Sequence, residues 1–187
     1  MSDLSTNSES PALGKDALLN EIRSQADHFV ALVNDLPAEA WEGGDVAQWG
    51  SAHHLAHLIS SHKRTAQGFA ARDRLPCYEQ DSRSYDEVKD AYTNALAAIP
   101  AERLQPNPIP PEVPQGWTRA EALAAFRGSL EALNTSLTPW SESDLDALAL
   151  PHPLLGPISA RELLHFTAYH LEHHQAGIKR SGERLTS

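Results

Sequence analysis

The chain has 187 residues, of which 41% are hydrophobic, and its formal net charge at pH 7 is −10. This length suits one domain with a hydrophobic core, and no apolar run approaches the roughly 18 residues that a membrane span needs. The negative charge argues against nucleic acid and against anionic membrane surfaces as partners, because both attract clusters of Lys and Arg. A small molecule or another protein remains as the partner.

The ends of the chain and its cysteine content bear on its organisation and compartment. Residues 1–12 are predicted to form a disordered lead, residues 13–182 one helical domain, and residues 183–187 a short tail. The lead has neither a basic start nor an apolar stretch, so it does not resemble a secretory signal. The single cysteine, Cys77, excludes an internal disulfide and a thiolate-rich metal site, and it suits a reducing compartment. We therefore expect the protein in the cytoplasm, with any metal held by nitrogen and oxygen.

The first half of the chain has the hydrophobic spacing of helices. This spacing predicts a first helix over about residues 13–36 and a second over about residues 49–72. A capping box, Ser84-Tyr-Asp-Glu87, opens a third helix that ends near residue 99. The segment 100–117 is rich in proline and is predicted to cross over in an extended form.

The second half adds two more helices and no segment with the pattern of a strand. A capping box, Thr118-Arg-Ala-Glu121, opens a helix that is predicted to reach about residue 137. An acidic turn at 141–150 and a loop at 151–157 precede a third box, Ser159-Ala-Arg-Glu162, which begins the last helix. Four long helices and one lesser helix predict an all-α fold, an antiparallel four-helix bundle with long crossover connections.

The last helix carries two histidines, His170 and His174, at positions i and i+4. At 3.6 residues per turn they project about 40° from each other on one face, and helices use this spacing to hold a metal ion between two imidazoles. Ten histidines make chance pairs common, but this pair lies on the seam predicted to face the bundle interior. That seam consists of Leu163, Thr167, His170, His174 and Gly177. Two protonated imidazoles are costly when buried, and a shared metal ion removes that cost.

A third candidate ligand lies more than a hundred residues upstream. His53, His54 and His57 fall within about one and a quarter turns of the second helix. His54 and His57 project about 60° apart, so either can complete a three-histidine site. On the helical wheel His57 lies away from Leu55 and Ile59, on a face that is either solvated or the wall of an open polar pocket.

The two histidine segments resemble those of the DinB superfamily, also called the YfiT-like metal-dependent hydrolases. In that family a tryptophan precedes a helix with a His-Leu pair, as Trp49 precedes His57-Leu58 here. The last helix of the family carries H-x-x-x-H, which is present here as His170-Leu-Glu-His173-His174. The resemblance implies a four-helix bundle with a divalent metal held by His57, His170 and His174. Relatives often have an aspartate where Ser60 stands, so an acidic role at that position is absent.

The resemblance also implies an activity, because characterised relatives include thiol-dependent isomerases and S-transferases. Three neutral imidazoles leave a coordination position open, as in catalytic zinc sites, and nickel or iron also accepts nitrogen ligands. We expect a metal-dependent thiol S-transferase or hydrolase that acts on a small molecule, with zinc as the first choice of metal and a low-molecular-weight thiol as a candidate cofactor. The alternative is a non-enzymatic metal-binding or stress-response bundle with a vestigial site. Related bundles pair through helix faces, so we expect a homodimer.

Several residues near these motifs receive lesser roles. Trp49 is expected to pack at the start of its helix, and Glu172 and His173 are expected to face solvent. His165 is expected on a helix surface and His152 in a loop.

Overall fold

The computed structural model describes residues 13–42, 49–100 and 112–183, and within them the chain forms seven α-helices and one β-hairpin. The helices are α1 Lys15–Asp35, α2 Ala38–Glu42, α3 Ser51–Ala70, α4 Tyr85–Ala97, α5 Arg119–Ser136, α6 Glu142–Ala147 and α7 Ala160–Glu183. A short 3-10 helix, Arg72–Arg74, follows α3, and the hairpin strands are β1 Ala149–His152 and β2 Gly156–Ser159. No helix in this part of the chain combines the length and the apolar character of a membrane span.

Helices α1, α3, α5 and α7 form the bundle. Helix α3 packs along α5, α1 packs along α7, and α7 also contacts both α3 and α4. Phe29 of α1 stacks on Phe126 of α5 with ring centroids 5.3 Å apart, and both side chains are fully buried. All of the buried apolar side chains larger than alanine belong to one cluster. The prediction of an all-α four-helix bundle is therefore confirmed.

The capping boxes begin the helices where the sequence predicts them. Thr118 Oγ1 accepts a hydrogen bond from the Glu121 backbone N–H, while the Glu121 carboxylate accepts one from the Thr118 N–H at 3.0 Å. The same reciprocal pair joins Ser159 and Glu162 at the start of α7. Glu162 is fully buried and also accepts hydrogen bonds from the Arg83 guanidinium, which ties the segment before α4 to α7. These pairs satisfy N–H groups that would otherwise have no partner at a helix start.

The hairpin corrects the expectation that residues 149–159 form only a turn and a loop. The two strands are antiparallel, with Pro151 opposite Pro157. In such a ladder, residue pairs that exchange backbone hydrogen bonds alternate with pairs that do not. Ala160 N donates to Leu148 O, so these two residues form a bonded pair. Counting along the register from that pair places the two prolines opposite each other in a pair without ladder hydrogen bonds. Gly156 continues the turn at φ 70°, which glycine adopts without strain. Prolines are therefore compatible with these strands, although their presence hides the strands in the sequence.

Parts of the predicted organisation fall outside the described residues. These parts are the lead, residues 1–12, and residues 101–111 of the predicted crossover. Helix α7 continues to Glu183, one residue into the predicted tail, and residues 184–187 are outside the description.

Candidate metal centre

Helix α7 is the central element of the site. Every residue from Ala160 to Leu171 is buried, so this stretch is covered on all sides. The five positions of the predicted seam are all buried as well. His170 and His174 are 4% and 6% exposed, which places both imidazoles in the bundle interior.

His57 reaches this pair from α3. The Nε2 atom of His170 lies 3.0 Å from the Nε2 atom of His57 and 3.0 Å from the Nε2 atom of His174. One nitrogen from each of the three residues lies within 4.8 Å of the others. Zinc binds imidazole nitrogen at about 2.0–2.1 Å, which separates two tetrahedral ligand nitrogens by about 3.4 Å. The structure therefore brings the three predicted ligands together, and the two 3.0 Å pairs that share His170 lie close to this separation.

The hydrogen-bonding capacity of these nitrogens fits a cation. The Nε2 atom of His170 carries either one proton or one lone pair, so it cannot form a full hydrogen bond with both of its neighbours. A cation at the centre instead accepts one lone pair from each imidazole. Three neutral nitrogen donors with no thiolate nearby form a set that suits a divalent transition metal.

Burial keeps the clustered imidazoles neutral. Desolvation lowers the pKa of His57 from 6.5 to about 4, and the Arg64 guanidinium contributes in the same direction. Desolvation also holds the pKa values of His170 and His174 well below 6.5, and each of them is further lowered by neighbouring histidines. A metal ligand must be an unprotonated imidazole, so the three residues are in the binding form at neutral pH.

His54 contacts the opposite nitrogen of His174 and is not part of the cluster. The Nδ1 atoms of the two residues lie 2.8 Å apart. When His174 offers its Nε2 lone pair to a metal, its Nδ1–H donates to the Nδ1 lone pair of His54. Desolvation lowers the pKa of His54 to about 3, which keeps that acceptor neutral. Of the two upstream candidates, His57 joins the cluster and His54 supports His174.

Aromatic side chains hold the imidazoles on two sides. Trp49 precedes α3, and its ring lies nearly parallel to that of His174, with centroids 6.0 Å apart. The same indole is 5.2 Å from the ring of His57. Phe166, one turn before His170, stacks on its imidazole at 4.8 Å. Trp49 therefore packs at its helix start, as predicted, and also forms a wall of the cluster.

Three other residues near the motifs do not enter the cluster. His53 accepts a hydrogen bond from the Gly50 backbone N–H at the start of α3. Glu172 and His173, which were expected to face solvent, are half-buried. Glu172 accepts hydrogen bonds from Tyr85 and Lys89 of α4, so its carboxylate serves helix packing.

His165 and His152 are buried, and both expectations for them are wrong. His165 lies where α7 is covered on all sides, with its ring 6.1 Å from that of Tyr85. His152 ends β1, and its Nδ1 atom accepts hydrogen bonds from the backbone N–H groups of Leu154 and Leu155 at 3.2 and 3.1 Å. The only sign of this role in the sequence is the position of His152 between two prolines before a glycine, which marks a turn.

A cavity of about 320 Å³ opens beside the cluster, on the side of His57 and His170. Its walls come from α3, α4, the hairpin and α7. The lining residues are His57, Ser61, Arg64, Thr65, Gly68, Tyr92, Leu150, Pro151, His152, Pro153, Leu154, Leu163, Phe166 and His170. A small molecule in this cavity would lie next to two of the three clustered histidines.

Comparison with known proteins agrees with the resemblance drawn from the histidine segments. The sequence profile of the DinB superfamily matches residues 21–178. The matched range contains the three clustered histidines and every residue that lines the cavity. No curated protein and no solved structure matches the chain.

Proposed function

We propose that this chain, which belongs to the DinB superfamily, is a metal-dependent enzyme that acts on a small molecule. The observation that carries the proposal is the convergence of His57, His170 and His174 beside an open cavity. Structural zinc sites surround the ion with four protein ligands, whereas catalytic sites use three and leave one position for water or substrate. Three imidazoles next to a cavity correspond to the catalytic kind.

The three imidazoles would hold a divalent ion, with zinc as the first candidate and nickel or iron as alternatives. When bound, such an ion supplies a Lewis acid that lowers the pKa of a water or a thiol, so that either can lose its proton near neutral pH. Because neutral ligands do not offset the charge of the ion, this effect would be retained in full.

The surrounding residues prepare the cluster for this role. When His174 binds the ion through Nε2, its Nδ1–H would donate to Nδ1 of His54, 2.8 Å away, and this bond would hold the Nε2 lone pair of His174 toward the cluster. Trp49 and Phe166 cover the imidazoles of His174 and His170 with apolar rings. Substrate would therefore approach from the cavity, where the edges of His57 and His170 are available.

The size of the cavity supports a small substrate. Sites for small molecules have volumes of about 300–1,000 Å³, and this cavity, at about 320 Å³, lies at the lower end. Within the enzyme class we propose a thiol S-transferase, with a low-molecular-weight thiol as cosubstrate, or a hydrolase. The two differ in which nucleophile attacks the substrate.

The test is turnover by untagged full-length protein. Conjugation of an electrophile is measured with a low-molecular-weight thiol, and hydrolysis of an activated ester is measured without thiol. Chelated protein, zinc-reloaded protein and His170→Ala are compared, and His28→Ala, which changes an exposed histidine of α1, is the matched control.

We expect one of the two activities in the reloaded protein and in His28→Ala. The same activity should be absent after chelation and in His170→Ala, because the first lacks the ion and the second lacks a ligand. Zinc binding without turnover of any thiol, electrophile or ester would contradict the enzyme and support a non-enzymatic metal-binding bundle.

A further inference from the structure

We propose that the cavity beside the three histidines binds a small organic anion, with an apolar body and a carboxylate group, through Arg64, Tyr92 and His152. The inference rests on the proposed function, because it names the ligand class of the same cavity. Its support comes from the charge of the lining, from hydrogen-bond donors that lack a protein acceptor, and from an apolar wall.

The charge of the lining is opposite in sign to that of the whole chain. No Asp or Glu is among the described residues that line the cavity, although the chain has 25 acidic and 15 basic residues. Arg64 lines the cavity and takes part in none of the ion pairs between described residues. Its Nη1 group donates to the neutral Ser60 hydroxyl at 3.1 Å. A guanidinium without a carboxylate partner, at the edge of a cavity without acidic groups, favours an anionic ligand.

His152 offers a neutral N–H group to the cavity. Its Nδ1 atom accepts two backbone hydrogen bonds, so its proton is on Nε2. That N–H makes no hydrogen bond with a described residue, although every fully buried side-chain nitrogen or oxygen in the described part of the chain has a partner. The Nε2–H group is therefore accessible, and it belongs to a residue of the lining. Desolvation lowers the pKa of His152 to about 4, so the group remains a neutral donor at pH 7.

Tyr92 offers a second donor from α4. Its hydroxyl makes no hydrogen bond with a described residue and is likewise not fully enclosed. Burial raises the pKa of Tyr92, which keeps the hydroxyl protonated. The Tyr92 ring lies 6.0 Å from that of His152, so the two donors come from neighbouring side chains. A carboxylate has two acceptor oxygens and no proton at neutral pH, which matches such a set of donors.

The rest of the lining is mainly apolar. It includes Leu150, Pro151, Pro153, Leu154, Leu163 and Phe166. These side chains would bury the body of a ligand, whereas a small inorganic anion would leave them without contact. The combination therefore indicates an aromatic or branched monocarboxylate.

The first experiment compares three probes at about pH 7.5 by calorimetric titration of full-length protein. The probes are phenylacetate, its neutral analogue phenylacetamide, and inorganic phosphate as an anion without an apolar body. Each is titrated into metal-free and into zinc-loaded protein. We expect phenylacetate to bind about tenfold more tightly than phenylacetamide, because a hydrogen bond to a charged group is the stronger kind, and to bind more tightly than phosphate. Equal affinities for phenylacetate and phenylacetamide would overturn the proposal.

Variants assign the preference to the named donors. Arg64→Gln is expected to reduce the preference for phenylacetate over phenylacetamide about tenfold. Lys63→Gln removes the same charge from the adjacent, exposed position of α3 and should leave the preference unchanged. Tyr92→Phe removes only a hydroxyl and should weaken phenylacetate binding about fivefold. His152→Asn should do the same, since asparagine keeps an oxygen for the two turn N–H groups while it loses the Nε2–H.

The two metal states separate this proposal from the proposed function. If the protein takes up no zinc, the metal-dependent function fails, while selective binding of phenylacetate by the metal-free protein still supports the anion site. A preference that exists only with zinc, or one that survives Arg64→Gln in both states, would overturn the assignment to these donors.

Discussion

The imidazole of His54 packs directly against the backbone of Gly177, so that a Cβ atom on Gly177 would lie 2.6 Å from His54 Nε2 and would also overlap Cε1. Only glycine leaves room for the ring at this point of α7. The ring in turn meets the Nδ1 atom of His174. Gly177 therefore supports the candidate metal centre, although it contributes no side chain.

The first prediction concerns this contact. We expect Gly177→Ala to displace the His54 ring and to weaken zinc affinity about tenfold, as loss of a hydrogen bond behind a metal ligand does. Gly128→Ala on α5 is the control, because a Cβ there meets nothing within 4 Å. It should leave zinc affinity unchanged and raise the free energy of unfolding by about 0.5–1 kcal/mol through helix propensity. Zinc titration and urea unfolding measure both effects, and equal zinc affinity in the two variants would contradict the prediction.

The second prediction concerns the pair on α7. His170→Ala and His174→Ala should each abolish stoichiometric metal binding, since each removes one of three ligands. The bundle should remain helical, because its core is built from fully buried apolar side chains such as Leu55, Leu58 and Leu164. Elemental analysis and circular dichroism test the two parts, with His28→Ala as the control. Unchanged metal content in either variant would reject the site.

The third prediction ranks the upstream histidines. His57→Ala should weaken metal affinity by at least about tenfold, which is about 1.4 kcal/mol. His54→Ala should also weaken it, by an amount close to that of Gly177→Ala, since both changes remove the same partner of His174. His53→Ala should leave the affinity unchanged, because its Nδ1 atom accepts from the Gly50 N–H. Competition with a chelating dye provides the measurement. Loss of metal binding in His54→Ala together with unchanged affinity in His57→Ala would show that His54, and not His57, is the third ligand.

The fourth prediction concerns pH and the buried His62. Its Nδ1 atom lies 3.0 Å from the hydroxyl of Ser129, which itself donates to the Phe126 carbonyl oxygen. Desolvation, with a smaller effect of His57, lowers the pKa of His62 from 6.5 to about 4. At pH values between about 4 and 6.5, His62 is therefore protonated in the unfolded chain and neutral in the folded chain. The contribution to stability is fully present above pH 6.5 and is lost as the pH falls toward 4.

The expected loss for one such histidine is about 1 kcal/mol between about pH 7.5 and about pH 5.5. His62→Leu removes the titrating group and leaves the Ser129 hydroxyl bonded to Phe126, so its free energy of unfolding should fall less over the same interval. Urea unfolding of the metal-free protein at the two pH values checks this. An identical fall in the wild-type protein and in His62→Leu would show that His62 does not titrate as its burial requires.

Much of the fold follows from local sequence patterns. The reciprocal Thr118–Glu121 bonds and the buried seam of α7 depend on spacings within one or two turns of helix, which the chain shows directly. The hairpin does not follow from local patterns, because a strand can contain Pro151 and Pro157 only in a particular register with its partner strand. A proline is evidence against a strand until that register is known.

In the candidate site, too, some features follow from local sequence patterns and others depend on contacts between distant parts of the chain. The spacing of His170 and His174 is local, whereas the choice between His54 and His57 depends on how α3 is rotated against α7. That rotation follows from contacts such as the one with Gly177, which lies more than a hundred residues away in sequence. The sequence does not predict a binding role for His152, because that role depends on a cavity that four separate elements enclose.

The packing of Trp49 gives the site an optical reporter of its own. The indole lies with its ring centroid 5.4, 5.2 and 6.0 Å from those of His54, His57 and His174. Nickel and iron have partly filled d shells and quench indole emission at such range, whereas zinc, with a filled shell, does not quench by this route. Quenching of the intrinsic fluorescence would thus distinguish nickel or iron in the site from zinc, without any added dye.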